Sequence, residues 1–170
     1  ELTDLPVVHL DHPYSRRVLS GDNIHSRNAP VLFLSVAWRG ADGQTLSTPD
    51  SARGGIGYAF GYFKTKRQRG ALVVNFLIVR VHVNSPYRRA PGTTINVSTE
   101  VVKHLVDAVR RTAAHNTPSG TTVRCQVDPN APCFQLNMTE RQSQSLIRMY
   151  QEAGFELFPA TSELPPRVQM

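Results

Sequence analysis

Alternating hydrophobic and small or polar positions in the first half of the chain predict three strands. Val31–Arg39 is rich in β-branched and aromatic residues, which favours a strand. Gly55–Tyr62 has small residues at odd positions and bulky ones at even positions, the period of two of a strand with one bulky face. Ala71–Val83 is the longest strand candidate, and Lys64–Gly70 before it predicts a basic turn. We therefore expect adjacent strands to pair antiparallel.

In the second half of the chain, the apolar residues recur at the spacing of a helix. Apolar residues recur every three or four positions from Val97 to Val109, which predicts an amphipathic helix ending near His115. A second helix is predicted to begin at Thr139, because Thr139 and Gln142 have the spacing of a capping box, and to end at Gly154. Two more strands are predicted, at Thr121–Val127 and Phe155–Phe158. The strand–helix–strand order implies a parallel crossover.

These elements give one α/β (α+β) domain, as expected for 170 residues. Residues 1–30 are predicted to be a peripheral N-terminal arm with a short helix near Tyr14–Leu19. Residues 31–158 form the domain proper. Residues 159–170, which include three prolines, are predicted to be an irregular tail. Because residue 1 is Glu, we expect the domain to belong to a larger parent protein.

Composition excludes several classes of protein. The longest apolar run, Ala71–Val79, contains Asn75 and is too short to cross a bilayer, so we expect no membrane partner. Cys125 and Cys133 are too few for a disulfide scaffold or a zinc site, and we expect reduced thiols in an intracellular protein. The six histidines lack metal-ligand spacing, so no metal is expected.

The distribution of charged residues along the chain suggests a class of ligand. The formal net charge is +6, and residues 51–99 contain eight Lys and Arg residues and no carboxylate. Such a field concentrates anions, which indicates either a phosphate-rich ligand or nucleic acid, or else an ordinary solvated basic face. The nucleic-acid interpretation depends on charge alone, because the basic segment lacks interleaved aromatic residues and neither helix has a basic face.

Two short motifs carry a family resemblance. Pro86-Tyr-Arg-Arg-Ala-Pro-Gly-Thr-Thr94 follows the long strand, and Tyr150-Gln-Glu-Ala-Gly-Phe155 ends the second helix. With the order of elements, these segments resemble the GNAT superfamily of acetyl-CoA-dependent N-acetyltransferases over about residues 31–158. The resemblance implies a mixed, mainly antiparallel sheet whose parallel central strand pair is splayed and flanked by helices.

The resemblance implies acetyl-CoA as the cofactor. Its diphosphate would lie on the loop after the long strand, with backbone amides near Val81 and Val83 pairing with the pantetheine. The implied loop residues are Arg88, Arg89, Ala90, Gly92, Thr93 and Thr94. Thr94 stands where the family has Gly or Ala, and the helix could instead begin at Ser98. An Asn that the family places before the last helix corresponds either to Asn130 or to Ser143.

The resemblance also implies Tyr150 as the general acid that protonates the leaving thiolate. Some relatives use a strand Glu as general base, but residues 75–78 contain none. The remaining candidates are His82, Asp128 or a carboxylate such as Glu140 or Glu163, and a water relay would also serve.

The expected function is transfer of an acetyl group to a primary amine. A protein lysine is the favoured acceptor, with a histone, chromatin association and a nuclear location as the associated expectations. The alternatives are an enzyme that acetylates a small-molecule amine and a catalytically inactive module that binds coenzyme A or another protein.

Overall fold

The computed structural model describes residues 2–4, 31–38, 57–83, 88–89, 96–128, 138–161 and 166–170. Within these ranges the chain forms seven strands and two helices. Their bounds are β1 Leu2–Asp4, β2 Val31–Trp38, β3 Gly57–Gln68, β4 Ala71–Val83, α1 Val97–Asn116, β5 Thr122–Val127, α2 Glu140–Glu152, β6 Glu156–Phe158 and β7 Arg167–Gln169.

The strands make one sheet in the order β1-β2-β3-β4-β5-β7-β6. Strands β4 and β5 pair parallel, and the other neighbouring pairs are antiparallel. The predicted mixed α/β fold, the antiparallel β2–β3–β4 meander and the parallel β4–α1–β5 crossover are therefore confirmed. A parallel pair needs a long connection, and the twenty residues of α1 supply it.

The connection between β3 and β4 differs from the prediction. Strand β3 continues to Gln68, so the predicted basic turn at Lys64–Gly70 is wrong, and the turn itself is only Arg69 and Gly70. Their φ angles are 51° and 83°, and two positive φ angles give the hairpin turn whose twist matches that of the strands. The polar residues before the turn are held as strand by backbone pairing with β4, not by burial.

The C-terminal segment also differs from the prediction. Residues 167–169 were expected to be irregular, but they form β7, which lies between β5 and β6. Val168 is fully buried, and the backbone groups of Met170 and Cys125 exchange hydrogen bonds of 2.8 and 3.0 Å. The predicted last strand is confirmed as β6, although β7 separates it from β5.

The N-terminal segment contributes at least one strand. Leu2–Asp4 pairs antiparallel with the end of β2, so part of the predicted peripheral arm belongs to the sheet. The helix predicted near Tyr14–Leu19 lies outside the described residues.

Both helices cover the same face of the sheet. Val101, Leu105 and Val109 of α1 are completely buried against a layer that includes Phe76 and Ile78 of β4. Burying each such side chain contributes on the order of 1.5–3 kcal/mol, so the apolar stripe that predicted α1 also fixes its position. The predicted capping box of α2 is confirmed.

Candidate functional site

Strand β4 continues past the end of its parallel partner β5. Their last pair is Ile78 with Val127, and the Asp128 amide donates to the Ile78 carbonyl at 2.8 Å. Residues 79–83 of β4 continue without a β5 partner. The register with β3 skips one residue here, at Val79, which marks a bulge in β4. β5 therefore ends while β4 continues, at the position where the splay of the parallel pair was predicted.

A cavity of about 730 Å³ lies beyond the splay. It is bounded by the end of β4, by the two residues before the loop, by the start of α1 and by one stripe of α2. The described lining residues are Val81, His82, Val83, Arg88, Arg89, Asn96, Ser98, Met138, Gln142, Ser145, Leu146, Arg148, Met149 and Glu152. A volume of this size accommodates a cofactor-sized molecule.

The described lining is strongly basic. Three arginines, Arg88, Arg89 and Arg148, face one carboxylate, Glu152. That carboxylate is already bonded, because it accepts from the Thr99 hydroxyl at 3.3 Å and from Arg148 Nε at 3.2 Å. Arg88 and Arg89 are exposed, and guanidinium groups bind phosphate through paired hydrogen bonds. The cavity is therefore suited to a phosphate-bearing ligand.

Backbone hydrogen bonds join the two ends of the predicted diphosphate loop. The amide of Val97 donates to the Arg88 carbonyl at 3.0 Å, and Arg89 forms an antiparallel bridge with Asn96. The loop therefore emerges at the N-terminus of α1, where the helix dipole favours an anion. Four of the predicted binding residues, Ala90, Gly92, Thr93 and Thr94, lie outside the described residues.

Helix α1 begins at Val97, where the helical spacing was predicted to begin, and not at the alternative start Ser98. Asn96 is its N-cap, and the Asn96 side chain accepts from the Ser98 amide at 3.0 Å. Since the amides of Val97 and Ser98 already have partners, they are not available to a ligand in this arrangement. A bound diphosphate would have to take its hydrogen bonds mainly from the arginines and from the loop backbone.

Of the predicted site residues, five come together around the cavity: Val81, His82, Val83, Arg88 and Arg89. The His82 ring lies 5.2 Å from the ring of Tyr58, tilted by 32°.

Other predicted residues lie elsewhere. Tyr150 is 4% exposed, packs edge-to-face on Phe155 at 5.6 Å and is not among the residues lining the cavity. Ser143 and Glu140 lie on α2 outside the lining stripe, and Asp128 is buried at the splay without reaching the lining. Asn130 and Glu163 lie outside the described residues.

Sequence reasoning missed the contribution of α2. Met138, Gln142, Ser145, Met149 and Glu152 follow one another at intervals of three or four residues, which places them on one stripe. Most of these side chains are polar, and no role in a binding site was predicted for them from the sequence. Met149 is buried and also belongs to the hydrophobic core, so this stripe overlaps the buried face of α2, and its three-to-four-residue spacing was the available signal.

A buried hydrogen bond marks the point of the splay. The Tyr62 hydroxyl on β3 donates to Asp128 Oδ2 at 2.7 Å, and both residues are buried. Burial raises the pKa of Tyr62 well above its usual value near 10, and the adjacent Asp128 carboxylate raises it further. The phenol therefore stays neutral and keeps Asp128 in place.

This bond predicts a loss of stability at alkaline pH. Since folding raises the pKa of Tyr62, the contribution is fully present below pH about 10 and declines as the pH rises further. We expect the free energy of unfolding by urea to fall more steeply between about pH 9.5 and 11 in the native chain than in Tyr62→Phe. Equal slopes in the two proteins would contradict the effect of the buried phenol.

The described part of the chain offers few other groups for nucleophilic or metal chemistry. Burial raises the pKa of the Cys125 thiol to about 11, so it is a poor nucleophile. Cys133 is outside the described residues. No group of three or more His, Cys, Asp or Glu residues there could hold a metal ion. No helix there is long and apolar enough to span a membrane.

In comparisons with known proteins, this chain is similar only to solved structures. No family model and no curated protein matches the sequence. An aminoglycoside acetyltransferase from an uncultured soil metagenomic sample is similar over 89% of this chain and 72% of its own, with 17% identity and a TM-score of 0.42. Arabidopsis thaliana NAA60 in complex with a bisubstrate analogue is similar over 82% and 73%, with 14% identity and a TM-score of 0.40.

Proposed function

We propose that this protein is an acetyl-CoA-dependent N-acetyltransferase, with a protein lysine, such as a histone lysine, as the favoured acceptor. The observation that carries the proposal is the basic cavity where β5 leaves β4. Such a site can hold an extended thioester against a strand edge while arginines at a helix N-terminus hold its diphosphate. A histone acceptor would imply chromatin association and a nuclear location.

The cavity's parts suit different parts of the coenzyme. Arg88 and Arg89 are exposed at the start of the loop, where they would bind the diphosphate. Val81 and Val83 lie on the segment of β4 that β5 no longer covers, so its backbone can pair with the pantetheine amides. Leu146 and Met149 supply apolar surface from α2 for the methylene groups.

The reaction needs one proton removed and one returned. The amine nitrogen attacks the thioester carbonyl, the new C–N bond forms, and the C–S bond breaks to release a thiolate. His82 lines the cavity at the end of β4, and we assign it the proton that the amine loses. The thiolate then takes a proton either from protonated His82 or from Tyr150, the residue that the resemblance favours.

Calorimetry with acetyl-CoA, followed by a thiol-release assay against histone tails, lysine peptides and small amines, tests this function. We expect saturable binding, a raised melting temperature and coenzyme A release that requires an amine. His82→Gln should lower turnover while keeping coenzyme affinity, and Tyr150→Phe should do the same only if its hydroxyl donates the proton. Absence of acetyl-CoA binding would contradict the proposal.

One observation favours a second candidate, an inactive module that binds coenzyme A. Strand β4 carries no carboxylate, and the carboxylate in the described lining, Glu152, already accepts two hydrogen bonds. Coenzyme binding without acetyl transfer to any amine on the panel would identify the module.

A further inference from the structure

The end of the β3–β4 hairpin extends past the described parts of the neighbouring strands. Pairing between β2 and β3 ends at Tyr62, and β5 first pairs with β4 at Val73. The eight residues Lys64–Ala71, which we call the hairpin tip, are all exposed. The tip is therefore a two-stranded ribbon that stands free of the helices.

Cationic side chains lie on both faces of this ribbon and in its turn. Side chains alternate between the two faces of a strand, so Lys64 and Lys66 lie on one face and Arg67 on the other. Arg69 lies in the turn. The tip contains no carboxylate, and none of its four cations forms an ion pair with the residues that the structure describes.

A fifth cation continues the basic surface onto the sheet. Lys64 pairs with Asn75 of β4, and Asn75 pairs with Arg124 of β5, so the three residues form one row across the sheet. Arg124 is exposed and on the same face as Lys64, about 10 Å away across two strand spacings. The Lys64 ammonium lies 5.4 Å from the centre of the Tyr62 ring, which helps to hold it.

We propose that the hairpin tip binds B-form DNA by entering the major groove. That groove is about 12 Å wide and admits a two-stranded β-ribbon, and phosphates line both of its walls. Charge on both faces and at the turn fits such a groove, whereas an acidic peptide lying along the ribbon would meet only one face. Duplex RNA fits poorly, because its major groove is deep and narrow.

DNA binding at the tip is independent of the proposed acetyl transfer. The tip and the cavity lie at opposite ends of β4, and the ten residue steps from Ala71 to Val81 span about 33 Å. Both ligands can therefore be bound at once. The affinity is expected to come from contacts between the cations of the tip and the phosphates, so the binding is expected to depend strongly on salt.

Fluorescence anisotropy with a labelled duplex of about 20 base pairs, titrated at several salt concentrations, tests the proposal. The native chain should bind with a negative slope of log affinity against log salt. Lys64→Gln, Lys66→Gln, Arg67→Gln and Arg69→Gln combined should lower affinity at least about tenfold and flatten the slope by about 3 to 4, since each phosphate contact contributes about 0.9.

Two controls make the result specific. Arg141→Gln removes one exposed charge from α2, away from both tip and cavity, and should leave DNA affinity nearly unchanged. Lys66→Gln with Arg67→Gln leaves the turn intact and should still flatten the slope by about 2 if the four-fold variant folds poorly. Equal binding of duplex RNA or polyglutamate, or unchanged DNA affinity in the folded tip variants, would overturn the proposal.

Discussion

Replacing Gly61 by alanine is expected to lower the free energy of unfolding by at least about 3 kcal/mol. Gly61 is buried on β3 at the point where the register with β4 shifts past Val79. A Cβ there would overlap the Leu77 carbonyl oxygen and would come within 2.7 Å of two ring carbons of Phe76. Because the carbonyl belongs to the paired backbone of a central strand, it cannot move aside cheaply.

Thermal and urea unfolding would measure this loss, with a fall in melting temperature of more than about 8 °C. Gly120→Ala is the matched control. Gly120 has a φ of +83° and no atom within 4 Å of the added Cβ, so only backbone strain of about 1–2 kcal/mol is expected. Similar losses in the two variants would mean that the close approach at Gly61 relaxes easily.

Reversing the charges of Arg88 and Arg89 should weaken acetyl-CoA binding at least about 100-fold. Each hydrogen bond to a charged group contributes about 1.5–3 kcal/mol, and two glutamates would add repulsion at the diphosphate. Both side chains are exposed, and the fold uses their backbone rather than their guanidinium groups, through the Arg88 carbonyl and the Arg89–Asn96 bridge. The melting temperature without ligand should therefore change little.

Calorimetry of Arg88→Glu with Arg89→Glu would give the affinity directly. Arg141 is an exposed arginine of α2 outside the cavity lining, so Arg141→Glu controls for charge reversal elsewhere on the surface and should bind acetyl-CoA nearly as well as the native chain. If the double variant retained native affinity, the diphosphate could not lie at the start of this loop.

The sequence predicted the elements that bury a regular apolar pattern. Val101, Leu105 and Val109 recur on one side of α1, and that side is the buried one. The errors fall where pairing rather than burial sets the structure. β3 extends as strand through Lys64–Gln68 because β4 lies beside it, and β7 has one fully buried residue, Val168, and one partner, β5, that is distant in sequence.

The part of the candidate site that could be predicted from the sequence is the part formed by charged residues. Arg88 and Arg89 follow the long strand in a carboxylate-free stretch, and the structure places them on the cavity. The α2 wall was not predictable, because residues such as Ser145 and Gln142 acquire a role only when α2 packs beside α1. Tyr150 shows the opposite case, since its motif suggests catalysis whereas its ring lies in the core.

The position of β7 bears on how the chain can fold while it is being synthesised. Strand β6 reaches the rest of the sheet only through β7, and β7 is held to β5 partly by the reciprocal backbone bonds between Cys125 and Met170. Domains that fold during translation do so as their residues emerge, from the N-terminal side. The edge of β5 therefore stays open until Met170 has left the ribosome, so the nascent domain exposes that edge to chaperones or to neighbouring chains while the residues after β5 are being synthesised.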